Sequence, residues 1–152
     1  MTRADFIARF GGVYEASPWV AEACWPPRED LPAAMRAVVD AAPRERKLAL
    51  IRAHPELASR AKMADASVQE QAGAGLDQCS AEEFAAFQGL NAAYNARFGF
   101  PFIIAVKGLT RHDILDAFET RINHTATEEF ATACREVEKI ARLRLAAIDL
   151  GG

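Results

Sequence analysis

Phe98-Gly99-Phe100-Pro101-Phe102-Ile103-Ile104-Ala105-Val106 (FGFPFIIAV) is the only stretch of the chain with the apolar and aromatic content of a strand. A lone strand has no partner to pair with. We therefore read residues 98–106 as a buried extended segment inside an all-α protein, and the rest of the fold follows from that choice. Pro101 brings no donor. The other N–H and C=O groups of such a segment must bond neighbouring helices or a bound ligand, for which a polar heterocycle is suited.

Working outward, Lys107-Gly108-Leu109 turns the chain into Thr110, the N-cap of a helix with Ile114, Leu115, Phe118 and Ile122 facing inward. Upstream, Ser80 and Glu83 have capping-box spacing and open a long helix in which Phe84, Phe87, Leu90, Ala93 and Tyr94 keep helical periodicity. Asn91, Tyr94 and Asn95 lie on it, with no spacing that demands a pocket. A last helix runs from about Thr125 to Asp149. On it Arg142 and Arg144 point about 200° apart, so one is a candidate anion ligand unless both are solvated. In the N-terminal third, Thr2 caps a short helix with Phe6, Ile7 and Phe10 on one face, ending at Gly11-Gly12. Ser17 is read as the cap of a second helix with Pro18 at its first position. Asp30 marks a third, and a fourth opens near Pro43 and carries Leu48, Leu50 and Ile51 up to His54. The expectation is a single-domain bundle over residues 1–152, of about seven or eight helices joined by short loops.

Polar groups able to move protons gather in IRAHPELASRAKMADASVQEQAGAGL, residues 51–76. Pro55 disfavours the α conformation at His54, which stops the preceding helix and fixes the imidazole at its C-terminal end. Ser67 and Glu70 have the spacing of a capping box. Two readings stand here: a helix cap beside a polar helix terminus, or a proton-transfer site. Residues 55–66 read as an irregular or weakly helical loop that could act as a lid, and Gly75 as the stop of a short helix.

With 51% hydrophobic and 26% charged residues, nine Gly and seven Pro, the composition is that of an ordinary globular protein. A formal charge of −3 gives no footprint for nucleic acid or an anionic membrane surface. Cys24, Cys79 and Cys134 have neither disulfide-framework nor zinc-site spacing, and suit a reducing cytoplasm. His112 and His124, twelve apart, read as solvated rather than metal-bound, so no metal is expected. No apolar run is long enough to span a membrane, and Arg3, Asp5 and Arg9 occupy the place where a secretory signal would need apolar residues. P-loop, dinucleotide and nucleophile-elbow motifs are missing from the sequence.

Taken together and in order, FGGVYEASPWVAE (10–22), LIRAHPELA (50–58), SVQEQAGAGL (67–76), LNAAYNARFGFPFIIAVKG (90–108) and IARLRL (140–145) resemble the 2-oxo-4-hydroxy-4-carboxy-5-ureidoimidazoline (OHCU) decarboxylase family. The resemblance spans nearly the whole chain. It implies an all-helical, cofactor-free and commonly dimeric enzyme that releases CO2 to give (S)-allantoin, the last step of urate oxidation. It implies His54 and Glu70 as catalytic residues. As substrate-binding residues it implies Pro55, Ser67, Gln71, Arg144 and the segment Phe102, Ile103 and Ile104. Ala16 stands where many members carry histidine, and Ser59 where glycine is frequent. The expected partners are a small ureidoimidazoline and a second copy of the chain. The competing readings are a non-catalytic helical interaction module and a lyase or hydrolase acting on a related ureido heterocycle.

Overall fold

Reciprocal side-chain caps start four of the eight described helices. In the computed structural model, which describes residues 1–28, 30–58 and 65–151, Thr2 and Asp5 close a capping box at α1 (Arg3–Phe10). Ser80 and Glu83 do so at α6 (Ala81–Phe98), Thr110 and Asp113 at α7 (Arg111–Arg121), and Thr125 and Glu128 at α8 (Ala126–Gly151). Each box satisfies two N–H groups that the first turn cannot, worth about 1 kcal/mol per helix. Asp30 caps α3 (Leu31–Ala41) through Ala33 N, and Pro43 precedes α4 (Arg44–Arg52). The remaining helices are α2 (Trp19–Ala23) and α5 (Asp65–Gly73), with a single 3-10 turn at Leu76–Gln78. The described residues thus form eight α-helices and no strand, the all-α class expected.

Two of the expected caps fall elsewhere. Pro18, not Ser17, is the residue before α2, and the Ser17 hydroxyl donates to the Glu15 carbonyl at 2.8 Å. Ser67 is the third residue of α5, because the helix starts two residues earlier at Asp65, so a capping box from Ser67 to Glu70 is excluded by position. Gly75 lies beyond the end of α5 with φ 80°, where a Cβ would come within 3.1 Å of the Arg111 guanidinium.

By packing, the chain divides into two compact units. One comprises residues 1–54 with α8 from Val137 onward; α2 packs on both α1 and α3 there, and Phe6, Val20, Met35, Leu50, Ile51 and Val137 are buried. The other runs from Pro55 to Glu136. Its core is aromatic: Tyr94 lies edge-on to Phe100, Phe102 and Phe118, and the rings of Phe102 and Phe118 stack at 3.9 Å.

Of the segment 98–106, Phe98 is the last residue of α6, and residues 99–106 belong to this second unit and form neither helix nor strand. Gly99 ends α6 in the left-handed conformation, φ 78°, which glycine reaches without a Cβ clash. Helix side chains then answer the segment's main chain. Arg121 of α7 donates to the Ile103 carbonyl at 2.7 Å, and Glu136 of α8 accepts from Ala105 N at 3.1 Å.

Candidate active site

In the first unit, α4 ends at Arg52 and leaves His54 just past the C-cap, as Pro55 requires. The imidazole is 7% exposed, and its Nδ1 lies 3.0 Å from the carbonyl of Leu50, one turn back. A carbonyl only accepts, so the Nδ1–H donates to it. The local fold therefore fixes the orientation of the ring.

On α8 the two arginines part company. Arg142 is half exposed and pairs with Glu138 at 2.8 Å. Arg144 is 8% exposed; its Nη1 donates to Glu15 Oε2 at 2.7 Å and to the Gly12 carbonyl at 3.3 Å. The sequence left open which of the pair turns inward, and the structure assigns Arg144. Glu15, itself 6% exposed, is a residue that sequence reasoning passed over. The available signal was a carboxylate set between Val13-Tyr14 and Ser17-Pro18-Trp19, in a stretch otherwise apolar or turn-forming.

In the second unit, Ser67 and Gln71 form the buried side of α5, with Glu70 half-buried beside them and Ala74 buried just past the helix end. Gln71 bonds the main chain of 56–58 with both ends of its amide: Oε1 accepts from Ala58 N at 3.0 Å and Nε2 donates to the Glu56 carbonyl at 3.4 Å. Three more amide side chains, all on α6, fasten the same residues. Asn91 donates to the Leu57 carbonyl at 3.0 Å, Gln88 to the Ala58 carbonyl at 3.4 Å, and Asn95 to the Glu56 carboxylate at 2.7 Å. Residues 56–58 are thus fastened in place, with Leu57 and Ala58 buried, and are no part of a loose lid. Of that expected loop, residues 59–64, Ser59 included, lie outside the described residues.

Phe102 and Ile103 are buried and Ile104 is half-buried. The residue that fixes them is Arg121, whose guanidinium lies 4.2 Å from the centre of the Phe102 ring while it bonds the Ile103 carbonyl. Arg121 is held in turn by Glu129, which has no exposed surface and also accepts from the Tyr94 hydroxyl and bonds His124 Nδ1 at 3.0 Å. His124 is therefore a partner in a buried network, not the solvated residue expected, whereas His112 is exposed as expected. Burial, and then the bond to Glu129, push the Tyr94 hydroxyl well above the usual phenol range, so it stays a donor. Among the described residues no group of three or more His, Cys, Asp and Glu is placed to hold a metal ion, and no helix is long and apolar enough to cross a membrane.

The fold is all-α among the described residues, and it buries a histidine, His54, and a charge-paired arginine, Arg144. The comparisons with known proteins make this specific. The OHCU decarboxylase family model matches residues 1–146, and the chain belongs to that family. It is 47% identical over 147 residues to the 2-oxo-4-hydroxy-4-carboxy-5-ureidoimidazoline decarboxylase of Haloferax volcanii, covering 93% of this chain and 88% of that one. It is 43% identical to the uric acid degradation bifunctional protein of Bacillus subtilis, over 91% of this chain and 29% of that protein. A crystal structure of (S)-allantoin synthase superposes with a TM-score of 0.79 at 34% identity, over 97% of this chain and 51% of that one. A crystal structure of OHCU decarboxylase in the presence of (S)-allantoin has a TM-score of 0.75 over 90% of this chain and 94% of that one; at 24% identity it speaks to the fold.

Proposed function

We propose that this chain is a carboxy-lyase that converts 2-oxo-4-hydroxy-4-carboxy-5-ureidoimidazoline to (S)-allantoin and CO2, acting as one domain and without a cofactor. The observation that carries the reading is the Nδ1 bond of His54, because it holds a buried imidazole in one orientation. In the substrate the carboxylate sits on a carbon that also bears a hydroxyl, next to a ring C=N. As the C–CO2 bond breaks, its electron pair passes into that C=N, whose nitrogen takes up a proton. The substrate is then its own electron sink, and neither an iminium-forming cofactor nor a metal is called for. The resulting enol loses its hydroxyl proton to His54 and becomes the carbonyl of allantoin, while a proton is added on one face of the carbon that holds the ureido group.

Glu70 is assigned to the hydrogen bonding that fixes this proton's path, and Arg144 to a substrate oxygen, a role its planar fork fills better than lysine would. Ser67, Gln71, Pro55 and Phe102 to Ile104 are assigned to the pocket wall. We further propose a cytoplasmic homodimer, for which sedimentation as a strict monomer at micromolar concentration would be the contrary result. The activity test generates the unstable substrate in situ from urate and follows the optical activity of the allantoin formed. An excess of the S enantiomer over the racemate of the spontaneous reaction is expected, and racemate at the uncatalysed rate would overturn the assignment.

A further inference from the structure

The buried pair Glu15 and Arg144 carries more than a fold contact. Glu15 sits in a short connection whose course is set at several points. Val13 N bonds the Phe10 carbonyl, Ser17 N bonds the Tyr14 carbonyl, and the Ser17 hydroxyl bonds the carbonyl of Glu15 itself. Ala16, the next residue, is held at φ 45°, a conformation that alanine seldom adopts and that persists only where its surroundings impose it. The chain is bent there, and the residue before the bend presents its carboxylate to Arg144 at 2.7 Å.

A buried guanidinium left alone would be a full positive charge in a poorly solvated place, and the first group it would seek is an anion. The substrate offers one, the carboxylate that must leave. Gripping it would stabilise the ground state more than the transition state, in which that charge departs as neutral CO2. Glu15 balances the charge in advance.

We propose that Glu15 is a positioning and specificity residue that neutralises Arg144, so that the pair offers donors to an uncharged ureido or ring oxygen rather than a cation to the departing carboxylate. This rests on the reading of Arg144 as a substrate ligand. It goes beyond that reading by naming what Arg144 binds and which residue decides it.

The test compares two inhibitors that share ureido groups and differ in charge, neutral allantoin and anionic allantoate, on the wild-type protein and on Glu15→Gln. The amide keeps the shape of the side chain and removes the compensating charge. Preference should move toward allantoate by about tenfold or more, as one uncompensated charge at close range implies, while kcat falls and KM does not rise. An unchanged preference in folded Glu15→Gln would overturn the proposal, since a merely structural residue lowers the melting temperature and activity without changing charge selectivity. If the glutamine variant does not fold, Glu15→Asp keeps the charge on a shorter arm. It should show reduced kcat with the wild-type preference, and a shifted preference would count against the proposal. Arg144→Gln separates the underlying reading. Wild-type kinetics and inhibition in that variant, or no binding of either compound to the wild-type protein, would remove Arg144 from the substrate site and the proposal with it.

Discussion

Arg121 and Glu129 meet at 2.9–3.0 Å in a site where the carboxylate has no exposed surface, and the same arginine reaches the Ile103 carbonyl with its other terminal nitrogen. The pair thereby ties the turn between α7 and α8 to the segment that we assign to the substrate pocket. Removing one partner strands the other charge. We expect Glu129→Gln to cost roughly 3–5 kcal/mol of stability and, because Ile103 loses its fixed donor, to raise KM. Chemical denaturation checks the first and steady-state kinetics the second. A change under 1 kcal/mol would mean that the network is not a support of the segment.

His54 and Glu70 are predicted to separate rate from stability. His54→Asn retains a polar group but loses the titratable Nε2, and general acid–base assistance contributes about 10² to 10⁴ in rate. We expect a loss of that size with little shift in melting temperature. For Glu70→Gln, the capping explanation no longer competes, because α5 begins before Ser67. A strong rate loss with near-native stability is expected. Turnover of His54→Asn at the wild-type rate would dismiss the histidine from the chemistry.

Much of this was legible in the sequence, for physical reasons that can be named. Thr2, Ser80, Thr110 and Thr125 announce helix starts because each cap is a local event within four residues, and His54 is placed by its own neighbour Pro55. The strand-like segment was readable as no true strand because it had no partner to pair with. What stayed dark was long-range. Glu15 and Arg144 lie 129 positions apart, and no periodicity links them. Glu129 lies on the buried side of α8, where its pattern predicts an apolar residue; only the arrival of Arg121, Tyr94 and His124 makes a carboxylate tolerable there. Ser67 misled because a capping box and an interior serine share a spelling, and helix starts are decided by what precedes them.

Tyr14 gives a pH signature. Burial, reinforced by the charges of Glu138 and Asp40, pushes its hydroxyl up to about 12. The unfolded chain ionises this group near 10, so between those values the folded state holds the extra proton and stability falls as pH rises. The contribution is fully present below about pH 10 and is lost through about pH 12, amounting to roughly 3 kcal/mol. Tyr94, also raised, acts in the same direction. The melting temperature of Tyr14→Phe should therefore decline less steeply than that of the wild type between about pH 10 and pH 12, the interval spanned by the two ionisations. Parallel declines would show that the hydroxyl does not titrate as described.

Gln71 tests whether a residue assigned to the pocket acts on the substrate or on the chain. Its Oε1 accepts from Ala58 N and its Nε2 donates to the Glu56 carbonyl, so its amide matches one donor and one acceptor of the main chain. Gln71→Glu keeps the first bond but sets a carboxylate oxygen against the Glu56 carbonyl, where two acceptors repel. Leaving one buried polar group unmatched costs about 1–3 kcal/mol, and we expect a loss of stability in that range. Gln71→Ala abandons both bonds and should cost at least as much, since Ala58 N is then buried without its acceptor. Because residues 56–58 follow directly on His54 and Pro55, kcat should fall in both variants, in step with the stability loss. If Gln71 instead serves the substrate alone, KM rises in both variants while the denaturation midpoint stays at its wild-type value, and the fastening of 56–58 must then rest on Gln88, Asn91 and Asn95 of α6.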